Sequence, residues 1–360
     1  MPDPFEAISD VIAKIRSTQF TVTDVLRRGE GEVLGRIGCD PQECAYRVVS
    51  SGPFWRLREY VQPHAGPCLL IVAAPIKRPY IWDLAPAVSA VRHCLEHRLR
   101  VFLLEWMPAS VETAPLGLKD YAGDAISACV VKIASEAQGV KPFLIGHSLG
   151  GTLAAIHCAL AQDSLRGLVL LGAPLCFEPA SSHFRDALVS IVPASFGNME
   201  VIPGSLLSQV SALASPETFV WARLRDSALS IMDAAAWAVT VRVERWALDE
   251  MPLPGRLVGE IINLLYRENC FCHGTLRIDD RLIGPSSVKV PTLAIVNTAD
   301  EIAPLGSIAP FLAAMPTKAT RIIEYPGETG VGLQHLAVLI GREAHARLWP
   351  EIFSWLSALD

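Results

Sequence analysis

Charged residues make up only 19% of the 360-residue chain and aromatics only 7%. No uninterrupted apolar stretch reaches the ~20 residues of a membrane-crossing helix, so no span is expected. Positive charge is not in excess either. The formal net charge is -6, with no Lys/Arg run interleaved with aromatics, which argues against nucleic acid or an anionic membrane as main partner. Internal repeats and low-complexity segments are also missing. The start, "MPDPFEAISDVIAKIRSTQF", has no basic stretch followed by an apolar one, so a secretory signal is not expected. Cysteines number nine, an odd count, and several sit in apolar segments such as "PCLLIV" and "SACVVKI". Reduced thiols in a cytoplasmic protein are therefore expected, rather than a disulfide framework. "NCFCHG" (Cys270, Cys272, His273) has no second ligand pair, so its cysteines read as structural. Neither a metal nor an organic cofactor is implied.

Apolar residues are what the chain has in quantity, at 51%. They come in short continuous runs: "LLIVAA" (69–74), "RVFLLEW" (100–106), "FLIGH" (143–147), "LRGLVLLGAP" (165–174) and "PTLAIVN" (291–297). Runs that do not alternate with polar residues are the mark of strands covered on both faces. Between them lie helical patterns at 85–98, 120–137 and 150–162. Strand and helix in alternation predict βαβ units and a doubly wound, mostly parallel α/β sheet.

The alternation stops after Pro174. Residues 177–285 read as helical and aromatic, with Trp221, Trp237 and Trp246 and no strand-like run. The sheet resumes afterwards, so this segment is expected as a cap over the sheet's C-terminal edge. The division follows: an entry helix and antiparallel edge strands over 1–60, an α/β core from 61–176 and 286–360, and a cap over 177–285. Within the first part, "GEGEVLGRIG" and "AYRVVSSGPFWRLREY" are assigned to the helix and edge strands together. Exposed aromatics in the cap would serve a dimer contact or attachment to apolar granules.

"LIGHSLGGTLAAI" (144–156) carries the chemistry. Gly146, Ser148 and Gly150 form G-x-S-x-G directly after an apolar strand and directly before a helix, with Gly151 as a third glycine. In that context the serine sits on a tight, strained turn with its Oγ above the sheet. A serine hydroxyl needs a base within hydrogen-bond reach, and the base an orienting acid. In this architecture the order is Ser, then Asp/Glu, then His. Asp300, just past "PTLAIVN", is the expected acid, with Glu301 as fallback. Two histidines follow it, His335 and His345. His345 lies in an amphipathic helical stretch and reads as a surface residue. His335 follows the glycine-rich "YPGETGVGLQ" and is the expected base. His147, beside the nucleophile, is expected to point away from the site. The oxyanion donors are expected to be the N–H of Leu149 and that of Ile76, with Lys77 second, because Pro75 has no N–H to give.

Several segments together resemble the polyhydroxyalkanoate synthase family, closest to the shorter synthases that act with a partner subunit. They are "LLIVAAPIKRPYIWDLAPAVSAVRHCLEHRLRVFLLEW" (69–106), "LKDYAGDAI" (118–126), "GHSLGGT" (146–152), "LLYRENCFCHGTLRIDD" (264–280), "VPTLAIVNTADEIAP" (290–304) and "QHLAVLIGREAHARLWPEI" (334–352). The resemblance implies an α/β-hydrolase fold, Asp300 and His335 as the catalytic pair, and Ile76 as an oxyanion donor. Two departures stand out. Family synthases are expected to carry cysteine where this chain has Ser148, and "ETGVGL" is inserted ahead of the histidine. A serine oxyester lies lower in energy than a cysteine thioester, so water can complete hydrolysis with His335 as base. The expected activity is ester hydrolysis on hydroxyalkanoate oligomers, polymer ends or medium acyl esters. The alternative is polymer-building acyl transfer from hydroxyacyl-CoA.

Overall fold

Leu69, Leu70, Ile71 and Val72 are all fully buried, and alternate residues of the run join two different hydrophobic cores. One core lies on each face of a central sheet. The computed structural model describes residues 4–61, 66–161 and 164–359, with side chains of the first helix described from Gln19 onward. In chain order the strands are β1 (Tyr46–Ser51), β2 (Trp55–Tyr60), β3 (Cys68–Val72), β4 (Arg100–Trp106), β5 (Phe143–His147) and β6 (Gly167–Leu171). They continue with β7 (Val201–Ile202), β8 (Leu253–Pro254), β9 (Leu276–Ile278), β10 (Arg281–Ile283), β11 (Thr292–Asn297) and β12 (Thr320–Tyr325). The main sheet has eight strands in the order β1-β2-β4-β3-β5-β6-β11-β12. The six strands from β4 to β12 in that order are parallel, while β2 runs antiparallel to both β4 and β1.

Register sets where the site falls. Val72 pairs with Gly146, His147 with Leu171, and Leu171 with Ile295. The C-terminal ends of β3, β5, β6 and β11 therefore lie side by side, and the loops that follow them share one rim. Ligands of open α/β sheets bind at that rim.

Over residues 177–285 the chain forms helices His183–Ile191, Gly204–Ala214, Ala222–Ser230 and Ala234–Leu248, around a third apolar cluster that includes Phe184, Leu188, Ile202 and Ile262. Unlike the sequence expectation, it also contains strands. β7 pairs with β8 and β9 with β10, each over two or three residues. Pairings so short leave no run for a pattern to show.

The first helix, Pro4–Leu34, includes most of "GEGEVLGRIG". Gly31 lies against the helix Ala234–Leu248, where a Cβ would make only ordinary contact, 3.8 Å from that of Leu248. Asp24 fastens this helix to the 177–285 segment by accepting the N–H groups of Gly204 and Ser205, at 3.0 and 2.8 Å.

The cysteines differ from expectation at one pair. Cys176 and Cys272 are joined in a disulfide with their Cα atoms 5.1 Å apart, and the other seven are free. A separation of 96 residues hides this bond from any spacing rule. His273 instead contacts Glu178, so the "NCFCHG" side chains do not converge on one centre. Among the described residues no helix is long and apolar enough to cross a membrane.

Candidate active site

β5 runs straight into Ser148, whose φ of 54° and ψ of -134° lie in a region a side chain rarely adopts. Such a residue costs of order 1–3 kcal/mol and persists only where its surroundings over-determine it. The glycines are that surrounding. A Cβ on Gly146 would come within 2.6 Å of the Gly151 Cα, and one on Gly150 within 2.2 Å of the Val72 carbonyl oxygen. Gly151 has no more room, its Cβ position being 2.5 Å from that of Ala173. The Ser148 N–H donates to the Leu171 carbonyl at 3.1 Å, and the helix Leu149–Leu160 starts at once.

At the end of β11 the chain turns back on itself, the Asp300 N–H donating to the Asn297 carbonyl at 3.0 Å. The carboxylate has two partners. Oδ1 accepts the Ile302 N–H at 2.9 Å, and Oδ2 lies 2.6 Å from the Nδ1 of His335. Asp300 and His335 are 3% and 6% exposed, so this hydrogen bond is shielded from water. Burial opposes the charged carboxyl, but the His335 imidazole and its hydrogen bond, with the Ile302 N–H, outweigh it and hold Asp300 below the usual aspartate range. Gly172 follows β6 with a positive φ of 50°, and a Cβ on it would already be 3.5 Å from Asp300 Oδ2.

Ser148 and His335 line the same cavity, of about 460 Å³, together with Leu149, Ile76 and Lys77. The Nε2 of His335 is buried and has no hydrogen-bond partner among the described residues, Ser148 Oγ included. Asp300 and His335 are therefore joined, and Ser148 shares the cavity that His335 lines without bonding its ring. Glu301 does not compete for His335: its carboxylate accepts from the Thr218 and Ser215 hydroxyls. After β3, on the same rim, the Ile76 carbonyl accepts the Met251 N–H at 3.1 Å. The Lys77 ammonium donates to the Ala247 carbonyl at 2.6 Å and to Glu250 at 3.4 Å, and burial, partly relieved by Glu250, brings it down to about 8.

Two histidines depart from expectation. His345 is buried, with its Nδ1 2.9 Å from that of His93 and its Nε2 2.6 Å from the Leu339 carbonyl oxygen. The helical pattern around it looked amphipathic, but its polar side faces another helix rather than solvent. His147 does not point away. Its ring packs 4.5 Å from that of His335, and its Nε2–H donates to the His335 carbonyl at 2.7 Å. The tight turn that lifts Ser148 leaves the preceding side chain against His335, where it holds that residue's backbone.

Burial, reinforced by the neighbouring His335 ring, pushes His147 down to about 3, and burial brings His157 and His345 to about 4. All three are neutral when folded near pH 7, whereas an unfolded chain protonates its histidines near 6.5. Because the unfolded state binds more protons below that value, stability is full above about pH 6.5 and falls as pH drops toward 4. The depressed Asp300 acts in the same direction at still lower pH, its contribution being lost as the carboxyl protonates. Urea unfolding is expected to show a lower midpoint at pH 5 than at pH 7.5, and equal midpoints would contradict this.

The inserted "ETGVGL" has a structural role that the sequence did not disclose. Asp226, buried in the helix Ala222–Ser230, accepts the N–H of Gly330 at 2.7 Å and also that of Gly332. Both glycines have positive φ, 88° and 71°, which lets successive N–H groups converge on one carboxylate. Gln334 continues the brace, donating to the Glu328 carbonyl while its own carbonyl accepts from Asn297. The 177–285 segment thus grips the loop that carries His335. Asp226→Ala leaves two N–H groups unpaired, at about 1–3 kcal/mol each. We expect both the melting temperature and ester turnover to drop, and a variant with both unchanged would remove the brace from the account.

This rim over a parallel sheet, with a strained serine and a buried Asp–His pair, defines a class. The sequence matches the α/β hydrolase fold family over residues 83–329, and the chain belongs to that family. Within it, the chain is polyhydroxyalkanoate-synthase-like. It is 28% identical to the poly(3-hydroxyalkanoate) polymerase subunit PhaC of Haloferax mediterranei, across 80% of this chain and 58% of that protein. The same subunit from Synechocystis is 26% identical, across 89% of this chain and 85% of the relative. The chain thus spans less than two thirds of the haloarchaeal proteins and most of the cyanobacterial one. Among solved structures, a putative lipase from Sulfolobus solfataricus matches with a TM-score of 0.54 at 16% identity, covering 88% of this chain and 93% of that one. The enol-lactonase of Burkholderia xenovorans matches at 0.51 and 14%, covering 87% and 100%. These two bear on the fold alone.

Proposed function

We propose that Ser148 takes the acyl group of a hydroxyalkanoate ester, with His335 as general base and Asp300 holding the base in place. The observation that carries this reading is the buried Asp300–His335 hydrogen bond, in a cavity that Ser148 also lines. The carboxylate fixes the proton on Nδ1, so Nε2 presents a lone pair. That nitrogen takes the Ser148 proton as Oγ attacks the acyl carbon and later returns it to the leaving oxygen. Hydrogen bonds of this kind are often long without substrate and tighten when it binds. The N–H groups of Leu149 and Ile76 are the donors proposed for the oxyanion, a contribution of several kcal/mol.

The acceptor decides the name of the reaction. An acyl-serine is an ordinary ester, and water attacking it with His335 as base completes hydrolysis. A hydroxyl acceptor with hydroxyacyl-CoA as donor would instead extend a polymer, and the similarity to polymerase subunits supports this second reading more directly than hydrolysis. Trp221 and Trp237 are both exposed, as attachment to an apolar granule or to a second copy would require. Incubation with hydroxybutyryl-CoA and, separately, with a hydroxybutyrate trimer distinguishes the readings. Trimer cleavage without polymer supports hydrolysis. CoA release with polymer supports the polymerase reading, and neither reaction would end the proposal.

A further inference from the structure

Arg27, Lys77, Arg78 and Arg223 all line the cavity that holds Ser148, and among the described residues no aspartate or glutamate lines it. Their countercharges lie behind the wall and are too few. Glu250 serves both Arg27, at 3.0 Å, and Lys77, at 3.4 Å, while Glu244 pairs with Arg223. Arg78 has no ion-pair partner among the described residues. Its backbone is fixed on both sides, the N–H donating to the Asp249 carbonyl and the carbonyl accepting the Trp246 indole N–H at 2.8 Å. The rest of the wall is largely apolar, with Phe177, Leu188, Phe219 and Ile262. An apolar cleft with cations of one sign concentrates anions, because low-dielectric walls focus the field.

We propose that the cavity selects esters bearing a free carboxylate, seated at Arg78 with Arg27 and Lys77 nearby, so that a hydroxyalkanoate oligomer is cut from its acid end. This rests on the Ser148 hydrolysis reading above and adds the polarity of the substrate. The hydroxyl end of an oligomer is neutral and gains nothing from these cations, whereas the acid end carries one negative charge. With that charge held, the carboxylate-bearing unit is the alcohol side of the ester presented to Ser148. The Oγ–acyl carbon bond forms and the carbonyl carbon–alkoxy oxygen bond breaks. The proton from Oγ reaches the departing oxygen through His335, releasing one hydroxy acid. One water then cleaves the acyl-serine, giving the shortened oligomer acid and restoring the hydroxyl.

The test compares a 3-hydroxybutyrate trimer as free acid with its methyl ester, using wild-type protein and Arg78→Gln. The free acid is expected to have a kcat/KM about tenfold or more higher, mostly through KM, a factor that corresponds to about 1.4 kcal/mol. Monomer should be the first product, and R78Q should bring the ratio toward one. Equal or faster cleavage of the methyl ester by the wild type would overturn the proposal, as would a preference that survives R78Q and R27Q combined. Inhibition by pyrophosphate where acetate is without effect would assign the cations to a phosphate-bearing donor, and would also overturn it. p-Nitrophenyl butyrate separates the two claims. Its turnover without any acid preference sinks only this inference, whereas no turnover of any ester sinks the Ser148 reading.

Discussion

Ser148→Ala is expected to lower ester turnover by about a millionfold, the loss seen when an activated serine is removed from such a site. The protein should otherwise survive the change. Alanine keeps the Cβ that already tolerates φ of 54°, and the hydrogen bonds of the turn run through the Ser148 backbone. Unchanged circular dichroism and melting with lost turnover is therefore the expected pair of results. Residual activity within tenfold of wild type would mean that another group attacks the acyl carbon. Ser148→Cys is more informative about the acceptor. A thiol at this position would store the acyl group as a thioester, close in energy to a CoA thioester. Oxyester hydrolysis should fall, and acyl exchange with an added thiol should rise.

Asp300→Asn is expected to cost about 10⁴ in kcat, as amide replacement of the orienting carboxylate does elsewhere. The carboxylate accepts the Nδ1 proton of His335 at 2.6 Å, leaving Nε2 free to accept from Ser148. An amide can turn its NH₂ toward Nδ1, which then becomes the acceptor and drives the proton to Nε2. A ring protonated there cannot take the serine proton. Losing the negative charge also removes stabilisation of the imidazolium formed during attack. The loss should appear in kcat more than in KM, since Asp300 does not line the cavity. A fall of less than tenfold would show that His335 is oriented without it, for example by His147 alone.

Ser148, Asp300 and Ile76 were legible as candidates because each follows a strand with an unbroken apolar run behind it, whereas His335 was marked by chain order and its glycine-rich approach. β3, β4, β5, β6 and β11 all announced themselves by such runs. β12 did not: "TRIIEY" sets its apolar pair between Arg321 and Glu324 and forms the outer edge of the sheet, where half of its residues are exposed and only Tyr325 is buried. Despite its glycines, most of "GEGEVLG" is helical, with Gly31 against the helix Ala234–Leu248. His147 and Asp226 were missed for a different reason. Each acts on the His335 loop across 188 and roughly a hundred residues respectively, through a backbone carbonyl and two backbone N–H groups. Backbone partners leave no trace in residue identity. The two departures from the synthase resemblance now have different weights. The inserted loop has a visible anchor in Asp226, while the serine bears on the chemistry.

Labelling with a fluorophosphonate, followed by intact mass and peptide mapping, shows whether Ser148 is the nucleophile. One adduct per chain is expected, on Ser148, absent from S148A and formed far more slowly in D300N. An adduct on another residue, or none at all in folded protein, would contradict that role.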